Sequence, residues 1–410
     1  MEKVKRLMLF NASCLALVVT ALTFGTRGGF ITPWMNEFQL TGAQVGWIVG
    51  TAFWGFTVAM VIFGPLVDVM GIGRVISVAF ACHIIGLVMT IFANGFWTLF
   101  FSTMFIGIAN GSVEAACNPL ITAIYPDDKT AKLNRFHMWF PAGIVFGGLL
   151  VYFFAQIGWD WRIHTAAMLL PTLGYGLMFI GHKFPDTERV TSGATYKDML
   201  KACISPLFLF MAFCMIFTAA TELGTNQWIA ALFNHSVDKL FGAGLSSILI
   251  LVWISAIMAI ARLLAGPVVH RLTGTGVLLF SAVFSGIGLY LMSISSGIVL
   301  FAAATVFAIG VAYFWPNMLG VVAEKVPTSG ALGLAIMGGI GFLGGAIAQP
   351  VLGRIYDVQM AKFGDDLVAG AVTLRYVIII TVFLTLAFLF LFLRYRKDEP
   401  AKVKKSQTSE

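Results

Sequence analysis

The sequence predicts an all-α membrane protein of twelve transmembrane helices, built as two pseudo-symmetric six-helix bundles with N-in/C-in topology. Three observations carry that prediction. Of the 410 residues, 59% are hydrophobic and 11% charged, and the mean hydropathy is +0.90. Soluble domains run about 45–50% apolar and about 25% charged. Apolar runs of membrane-crossing length follow one another, separated by short polar or Gly/Pro punctuation. The two halves of the chain also resemble each other. A soluble globular enzyme is excluded, and spans of about 20 residues each leave no room for an extramembrane catalytic domain.

The runs fall at 7–34, 43–67, 73–94, 96–125, 132–156, 163–183, 206–233, 241–269, 275–295, 297–322, 330–353 and 372–394. Several exceed 20 residues, which implies tilt or extension past the hydrocarbon. The first run lacks a small-residue cleavage site, so it reads as a span and not as a signal peptide. The longest polar break, Lys183 to Ser205, divides the chain. The expected organisation is an N-terminal bundle over 1–183, a cytoplasmic loop over 184–205, a C-terminal bundle over 206–394 and a basic tail over 395–410.

Charge orients these spans. With the N-terminus inside, nineteen Lys and Arg fall on the cytoplasmic side, among them Lys3, Lys5, Arg74, Lys129 and the six from Arg394 to Lys405. Only Arg162, Lys239, Arg354, Lys362 and Arg375 fall outside, which is the positive-inside bias. The net charge of +7 is thereby explained without nucleic acid. The basic tail reads as an anchor in contact with anionic lipid. The five cysteines show no CxxC spacing and no pairing with His, so neither a metal site nor a disulfide framework is read from them.

The halves repeat at nearly constant offset. Gly64-Pro65-Leu66-Val67-Asp68 closes span two and Gly266-Pro267-Val268-Val269-His270 closes span eight, 202 residues later. Ile106-Gly107-Ile108-Ala109 returns as Ile309-Gly310-Val311-Ala312 at 203, and Phe146-Gly147-Gly148 as Leu343-Gly344-Gly345 at 197. Such duplication is characteristic of secondary transporters, whose site lies at the repeat interface near mid-membrane. No Walker motif is present to support ATP-driven transport.

On these residues the chain resembles the major facilitator superfamily from end to end. Gly64, Leu66, Asp68, Gly71 and Arg74 match its loop motif G-x-L-x-D-x-x-G plus basic residues, while Val69, Ile72 and Gly73 stand where further basic residues are usual. The resemblance implies that Asp68 braces the two halves in one conformation. Thr103 and Met104 occupy the region where many proton-coupled members carry an arginine.

A closer resemblance is to the fucose–galactose–glucose symporter branch and related sodium-dependent glucose carriers. Gly107 through Pro119, with Glu114 and Asn118, is similar to that branch's G-x-G-x-G-x-x-E-T-x-x-N-P. Glu222 with Trp228 resembles its E-x5-W, and Trp315-Pro316-Asn317 its (W/F)-P-T. Gly344-Gly345-Ala346 through Pro350 resembles its G-G-A-x-x-P, and Leu133-Asn134 also fits. The branch's acid late in span one is missing; Gly28 and Gly29 stand there beside Arg27.

Ionisable groups inside a span are costly, by about 2.5–3.5 kcal/mol on insertion scales, so each is a functional candidate. Asn110, Glu114 and Asn118 are four residues apart in span four and form a slowly drifting ladder on one helix face. Gly107 and Gly111 beside it permit close approach of a solute or of another helix. Span seven offers Thr218, Glu222 and Asn226 with Gln227 and Trp228, and span ten Tyr313, Trp315 and Asn317. The resemblance implies that spans one, four, seven and ten line a central cavity. Carboxylates and carboxamides suit sugar hydroxyls, and Trp and Tyr faces suit the C–H side of a pyranose.

Each residue also has a structural reading. Glu114 pairs with Arg27 if those neighbouring spans face each other, and otherwise Arg27 binds an anion or the solute. Asn118 and Asn317, next to Pro119 and Pro316, satisfy carbonyls freed by those prolines. His137 reads as a satisfied polar residue or a site residue, and His83 as packing or a lipid-side hydrogen bond. Arg262, near the cytoplasmic end of span eight, is expected to snorkel and serve structure.

The sequence thus predicts an alternating-access transporter of a monosaccharide, hexose or deoxyhexose, with H+ or Na+ symport at Glu114 and Glu222. An organic anion or drug-like solute held by Arg27, or a non-transporting sensor on the same fold, are the alternatives. No HExxH or GxSxG motif and no catalytic triad is visible, and no cofactor or metal is expected. The partners expected are the solute, the coupling ion and lipid, with the chain a monomer in a bacterial inner membrane.

Overall fold

The computed structural model describes residues 3–125, 132, 135–187, 195–234, 236–241 and 246–396. Leu133-Asn134, Lys129 and the basic tail beyond Arg396 lie outside the described residues. The first half contributes α1 (Lys3–Phe38), α2 (Gly42–Met70), α3 (Ile72–Ile91), α4 (Phe96–Ile124), α5 (Trp139–Gln156), α6 (Trp161–Ala167) and α7 (Leu169–Phe179). A short linker helix, α8 (Tyr196–Ala202), precedes α9 (Pro206–Ala219), a π-helical turn (Ala220–Gly224) and α10 (Thr225–Leu232). There follow α11 (Ile248–Leu263), α12 (Ala265–Met292), α13 (Gly297–Ala312), α14 (Phe314–Lys325), α15 (Gly330–Phe363) and α16 (Asp366–Tyr395). Ten helical stretches among the described residues are long and apolar enough to cross a membrane.

Prolines explain where the apolar runs break. A proline cannot donate to the carbonyl four residues earlier. Helices end at Ala167, Leu263 and Ala312, each four residues before Pro171, Pro267 and Pro316. The sixth expected run is therefore two short helices, and the eighth stops as a helix at Leu263. Prolines 33, 65, 119 and 350 sit inside helices that continue through them. Several helices overrun the apolar limits: α15 extends to Phe363, ten residues beyond the expected end. Helical backbone satisfies itself wherever it runs, so hydropathy marks the lipid boundary and not the helix end.

Lys5, Arg6, Arg74 and Lys325 share one end of the bundle, called here the basic end. Within the first half, α4 packs along α2 and α3, and α1 packs along α5 and α7. Gly107 is needed for this: a Cβ there would lie 2.2 Å from the Ala52 carbonyl oxygen. The close approach that this glycine run permits is thus to α2. Gly71, at φ +85°, makes the turn between α2 and α3 that a side chain would strain. One turn earlier, Asp68 accepts hydrogen bonds from Thr187 and Tyr196 of the linker. α8 in turn packs on the start of α15, with the Met199 sulfur 3.2 Å from the Cβ position of Gly330. Arg74 donates to the Met70 carbonyl at 3.2 Å.

His83 is neither packing alone nor lipid-facing. It is fully buried, with Nδ1 2.8 Å from the Tyr175 hydroxyl and Nε2 2.8 Å from Asn110 Oδ1. The Asn110 amide then donates to Thr23 at 3.0 Å. This chain ties α1, α3, α4 and α7 together inside the first half. Replacing Asn110 with alanine leaves His83 Nε2 without its Asn110 partner and removes the donor to the Thr23 hydroxyl, at a cost of roughly 2 kcal/mol. Asn110→Ala should lower the thermal unfolding midpoint in detergent and leave solute affinity within about twofold. A large loss of affinity at unchanged stability would instead make Asn110 a ligand.

Across the halves, α2 meets α15, α5 meets α11 and α1 meets α10. The α2–α15 seam runs from Gly42 against Asp357 to Thr57, whose hydroxyl donates to the Gly339 carbonyl at 3.0 Å. Beside Thr57, Phe56 and Phe342 stack with ring centroids 3.6 Å apart. The seam is closed toward the end opposite the basic one. There Asp357 accepts from the Gly42 and Ala43 N–H groups. At the same end, within the first half, Arg162 holds Glu37 at 2.5 Å, and the Trp161 indole donates to the same carboxylate at 2.7 Å.

Candidate functional site

A cavity of about 30 Å³ lies where α1, α5, α9–α10 and α11 converge. Phe24 comes from α1, and Phe140, Pro141 and Ile144 from α5. The π turn and α10 supply Glu222, Leu223, Asn226 and Gln227, while α11 supplies Leu251, Ser255, Met258 and Arg262. That volume holds about one water, so the halves are closed upon the site. A larger cavity of about 410 Å³ is lined by apolar residues of α1, α5, α6 and α7, such as Leu22, Phe146 and Met168, and carries no chemistry.

Glu222 owes its position to two departures from regular helix. It sits in the π-helical turn Ala220–Gly224, and such single turns occur frequently at functional sites. Its partner is Arg262, whose Nη2 lies 3.2 Å from Glu222 Oε1; the two side chains are 8% and 28% exposed. Arg262 is held in turn by the span-ten break. Pro316 has no N–H to give the Ala312 carbonyl, and Arg262 Nε donates to that oxygen at 2.9 Å. In the reverse direction the Tyr313 hydroxyl donates to the Ala261 carbonyl at 3.0 Å. The W-P-N sequence thus locks α11 to the α13–α14 break and aims one guanidinium at one carboxylate. The expectation that Arg262 snorkels as a structural residue is corrected by this geometry.

Arg27 does not pair with Glu114. It is 3% exposed, and neither of its terminal nitrogens has an acceptor among the described residues. Its guanidinium stands 5.1 Å from the centroid of the Phe24 ring. A cation over an aromatic face gains about 0.5–2 kcal/mol, whereas burying a charge costs several kcal/mol. The ring alone does not offset the burial. Asn226 Oδ1 and Gln227 Oε1 are buried without a donor among the described residues, although the Gln227 amide donates to the Phe24 carbonyl at 3.1 Å.

Glu114 belongs to a second cluster. Asn118 donates to it at 2.8 Å, His137 Nδ1 lies 3.9 Å from its other oxygen, and His137 Nε2 is 3.1 Å from Asn118 Oδ1. His137 is 45% exposed and Glu114 14%, against 8% for Glu222. The remaining candidates stand apart from the cavity. Trp228 is fully buried with its ring 6.2 Å from Tyr356. Trp315 packs over Gly341 and against Phe342. Asn317 donates back to the Tyr313 carbonyl at 2.9 Å, which its own N–H also meets. The carbonyl that Pro316 frees is met by Arg262 and not, as expected, by Asn317.

Of the twelve candidate binding residues, Glu222, Asn226 and Gln227 line the cavity. Arg27 adjoins it through Phe24, while Asn110 and the Glu114 cluster lie elsewhere in the first half. Sequence reasoning missed Arg262, Ser255 and Phe24 as lining residues. One signal was available for Arg262, a cation inside the second-half span 241–269 when Glu222 of the same half had no assigned partner.

The Major Facilitator Superfamily model matches residues 13–276 and 223–410 of the chain. Over 184 residues, 44% of this chain and 39% of the relative's length, the sequence is 25% identical to a D-xylose transporter of Levilactobacillus brevis. It is 21% identical over 380 residues to a gentisate transporter of Corynebacterium glutamicum, covering 86% of this chain and 81% of that one. Among solved structures, a bacterial homolog of the human lysosomal transporter Spinster, inward-facing and unoccupied, superposes with a TM-score of 0.75. The overlap covers 98% of this chain and 100% of that one, at 20% identity.

Proposed function

Because the chain belongs to the Major Facilitator Superfamily and is a multi-pass integral membrane protein, we propose that it is a secondary transporter carrying a monosaccharide by alternating access. The observation that carries this reading is the cavity between the halves. It combines the Glu222–Arg262 pair with the amides of Asn226 and Gln227, the Ser255 hydroxyl and the aromatic faces of Phe24 and Phe140. Paired charges and amides offer donors and acceptors in several directions, as a polyhydroxylated solute requires. The rings offer an apolar face. Similarity to a D-xylose transporter over part of the chain supports the same class.

In this proposal the chain makes twelve crossings as two six-helix bundles, 1–183 and 206–394, joined by the 184–205 loop, with both termini cytoplasmic in a bacterial inner membrane. The closed end is then extracellular, and the solute enters or leaves through the basic end. Residues Glu222, Arg262, Asn226 and Gln227 hold the solute. Arg27 is held close behind them, and Trp228, Tyr313, Trp315 and Asn317 shape the site from behind. Asp68, with Gly64, Gly71 and Arg74, couples the first bundle to the linker. The protein works as a monomer.

Coupling to H+ or Na+ is assigned to Glu114, with Asn118 and His137 beside it, because no Lys or Arg pairs with this carboxylate among the described residues. Glu222 is committed to Arg262 and acts on the solute. The test is uptake of radiolabelled sugars into proteoliposomes under a pH gradient, a sodium gradient, or neither. Glu114→Gln should abolish gradient-driven accumulation while counterflow stays within about threefold of the parent. Undiminished accumulation in Glu114→Gln would remove Glu114 from coupling, and absence of uptake of every sugar would overturn the monosaccharide class.

A further inference from the structure

We propose that Arg27 is a seat for a carboxylate and that the transported monosaccharide is an acid, of the hexuronate or aldonate type; this rests on the monosaccharide reading above. The charges around the cavity do not balance. Glu222 and Arg262 compensate each other at 3.2 Å. That leaves Arg27, 3% exposed, as a cation whose terminal nitrogens meet no acceptor among the described residues. A buried guanidinium of this kind calls for an anion in some part of the working cycle. A planar fork of donors matches a carboxylate in two-pronged fashion.

The surroundings say where that anion arrives. Phe24 is a wall of the cavity, and the guanidinium lies on its ring, 5.1 Å from the centroid. The next residue, Gly28, packs on the backbone carbonyls of Gln227 and Asn226, which lie 3.3 and 3.7 Å from its Cβ position. Both of those residues line the cavity, and both present an amide oxygen without a donor among the described residues. The bond from the Gln227 amide to the Phe24 carbonyl, at 3.1 Å, holds α1 and α10 together over them. When α10 separates from α1, the guanidinium and the two amides come onto one surface. The guanidinium then meets the carboxylate, and the amide oxygens accept from hydroxyls. A neutral hexose fills the hydroxyl partners and leaves the cation unmet.

The experiment is counterflow in proteoliposomes of the full chain with radiolabelled D-glucuronate, D-glucose and benzoate, for the parent, Arg27→Lys and Arg27→Gln. The parent should exchange glucuronate at least tenfold faster than glucose. Arg27→Gln should lose glucuronate exchange a hundredfold or more, with Arg27→Lys between the two. Equal exchange of glucose and glucuronate, unchanged in Arg27→Gln, overturns the proposal and leaves the monosaccharide reading standing. Benzoate exchange as fast as glucuronate overturns the sugar reading and with it the acid-sugar assignment. Ligand-induced thermal stabilisation of the parent needs no variant. Stabilisation by glucuronate at concentrations where glucose gives none supports the seat, and stabilisation by glucose alone overturns it.

Discussion

Replacing Arg262 with methionine should lower solute exchange at least a hundredfold, whereas Glu222→Gln combined with Arg262→Met should recover most of the lost thermal stability without recovering transport. Removing one partner of a buried ion pair leaves an uncompensated charge and costs about 3–5 kcal/mol, while replacing both is often neutral. Arg262 is 28% exposed, so the low end of that range applies. About 3 kcal/mol corresponds to roughly a hundred-and-fifty-fold in the folded-to-unfolded ratio, whereas the loss of exchange follows from removing the guanidinium from the solute site. Arg262→Met also strips the donor from the Ala312 carbonyl at the span-ten break, loosening α11 from α13–α14. Unfolding midpoints of the two single variants and the double form a cycle in which the pair's coupling is read directly. Additive effects of the two single changes would mean that the 3.2 Å contact carries no coupling, and exchange within threefold of the parent would remove Arg262 from the site.

This pair marks the boundary of what the sequence discloses. Hydropathy suffices for an all-helical chain with many membrane-crossing stretches, because it is a property of contiguous residues. Glu222 also stands out, since a carboxylate inside an apolar run is costly wherever it points. What it pairs with depends on which helix lies alongside and at what rotation. The π turn at Ala220–Gly224 changes that rotation with no distinguishing residue in Ala-Thr-Glu-Leu-Gly. Arg262 reads as a snorkelling residue from its depth alone. Its orientation follows from a carbonyl that Pro316 leaves open 54 residues later, a link visible only once α11 and α13 are neighbours. The expected Arg27–Glu114 pair fails for the opposite reason. Glu114 has a partner closer to hand in Asn118, one turn away on the same helix, with His137 alongside. The overrun of α15 to Phe363 was hidden because Arg354, Asp357 and Lys362 end the apolar run without ending the helix.

Gly353→Val should hold the end opposite the basic one open and reduce transport by two orders of magnitude. A Cβ at Gly353 would lie 2.1 Å from the Gly42 carbonyl oxygen, a distance that backbone cannot yield without the helices separating. One turn along α15, Asp357 spans the same seam, accepting from the Gly42 N–H at 2.7 Å and the Ala43 N–H at 2.9 Å. It caps the first turn of α2 from across the seam, alongside the local cap made by Thr41 and Gln44. Hydrogen bonds to a charged group contribute about 1.5–3 kcal/mol each, and the helix N-terminus favours the negative charge by about 0.3–1 kcal/mol. Losing the two bonds together shifts the closed-to-open ratio by at least 3 kcal/mol, roughly a hundred-and-fifty-fold. Asp357→Asn keeps the helix contact and one acceptor, so its shift should be about tenfold. Spin labels at Gln39 and Lys362, both exposed at that end, should report a longer distance distribution in Gly353→Val and a mixture in Asp357→Asn. A parent-like distribution in Gly353→Val would mean that α2 and α15 accommodate the side chain in place. The cross-seam cap would then be a consequence of closure and not its cause.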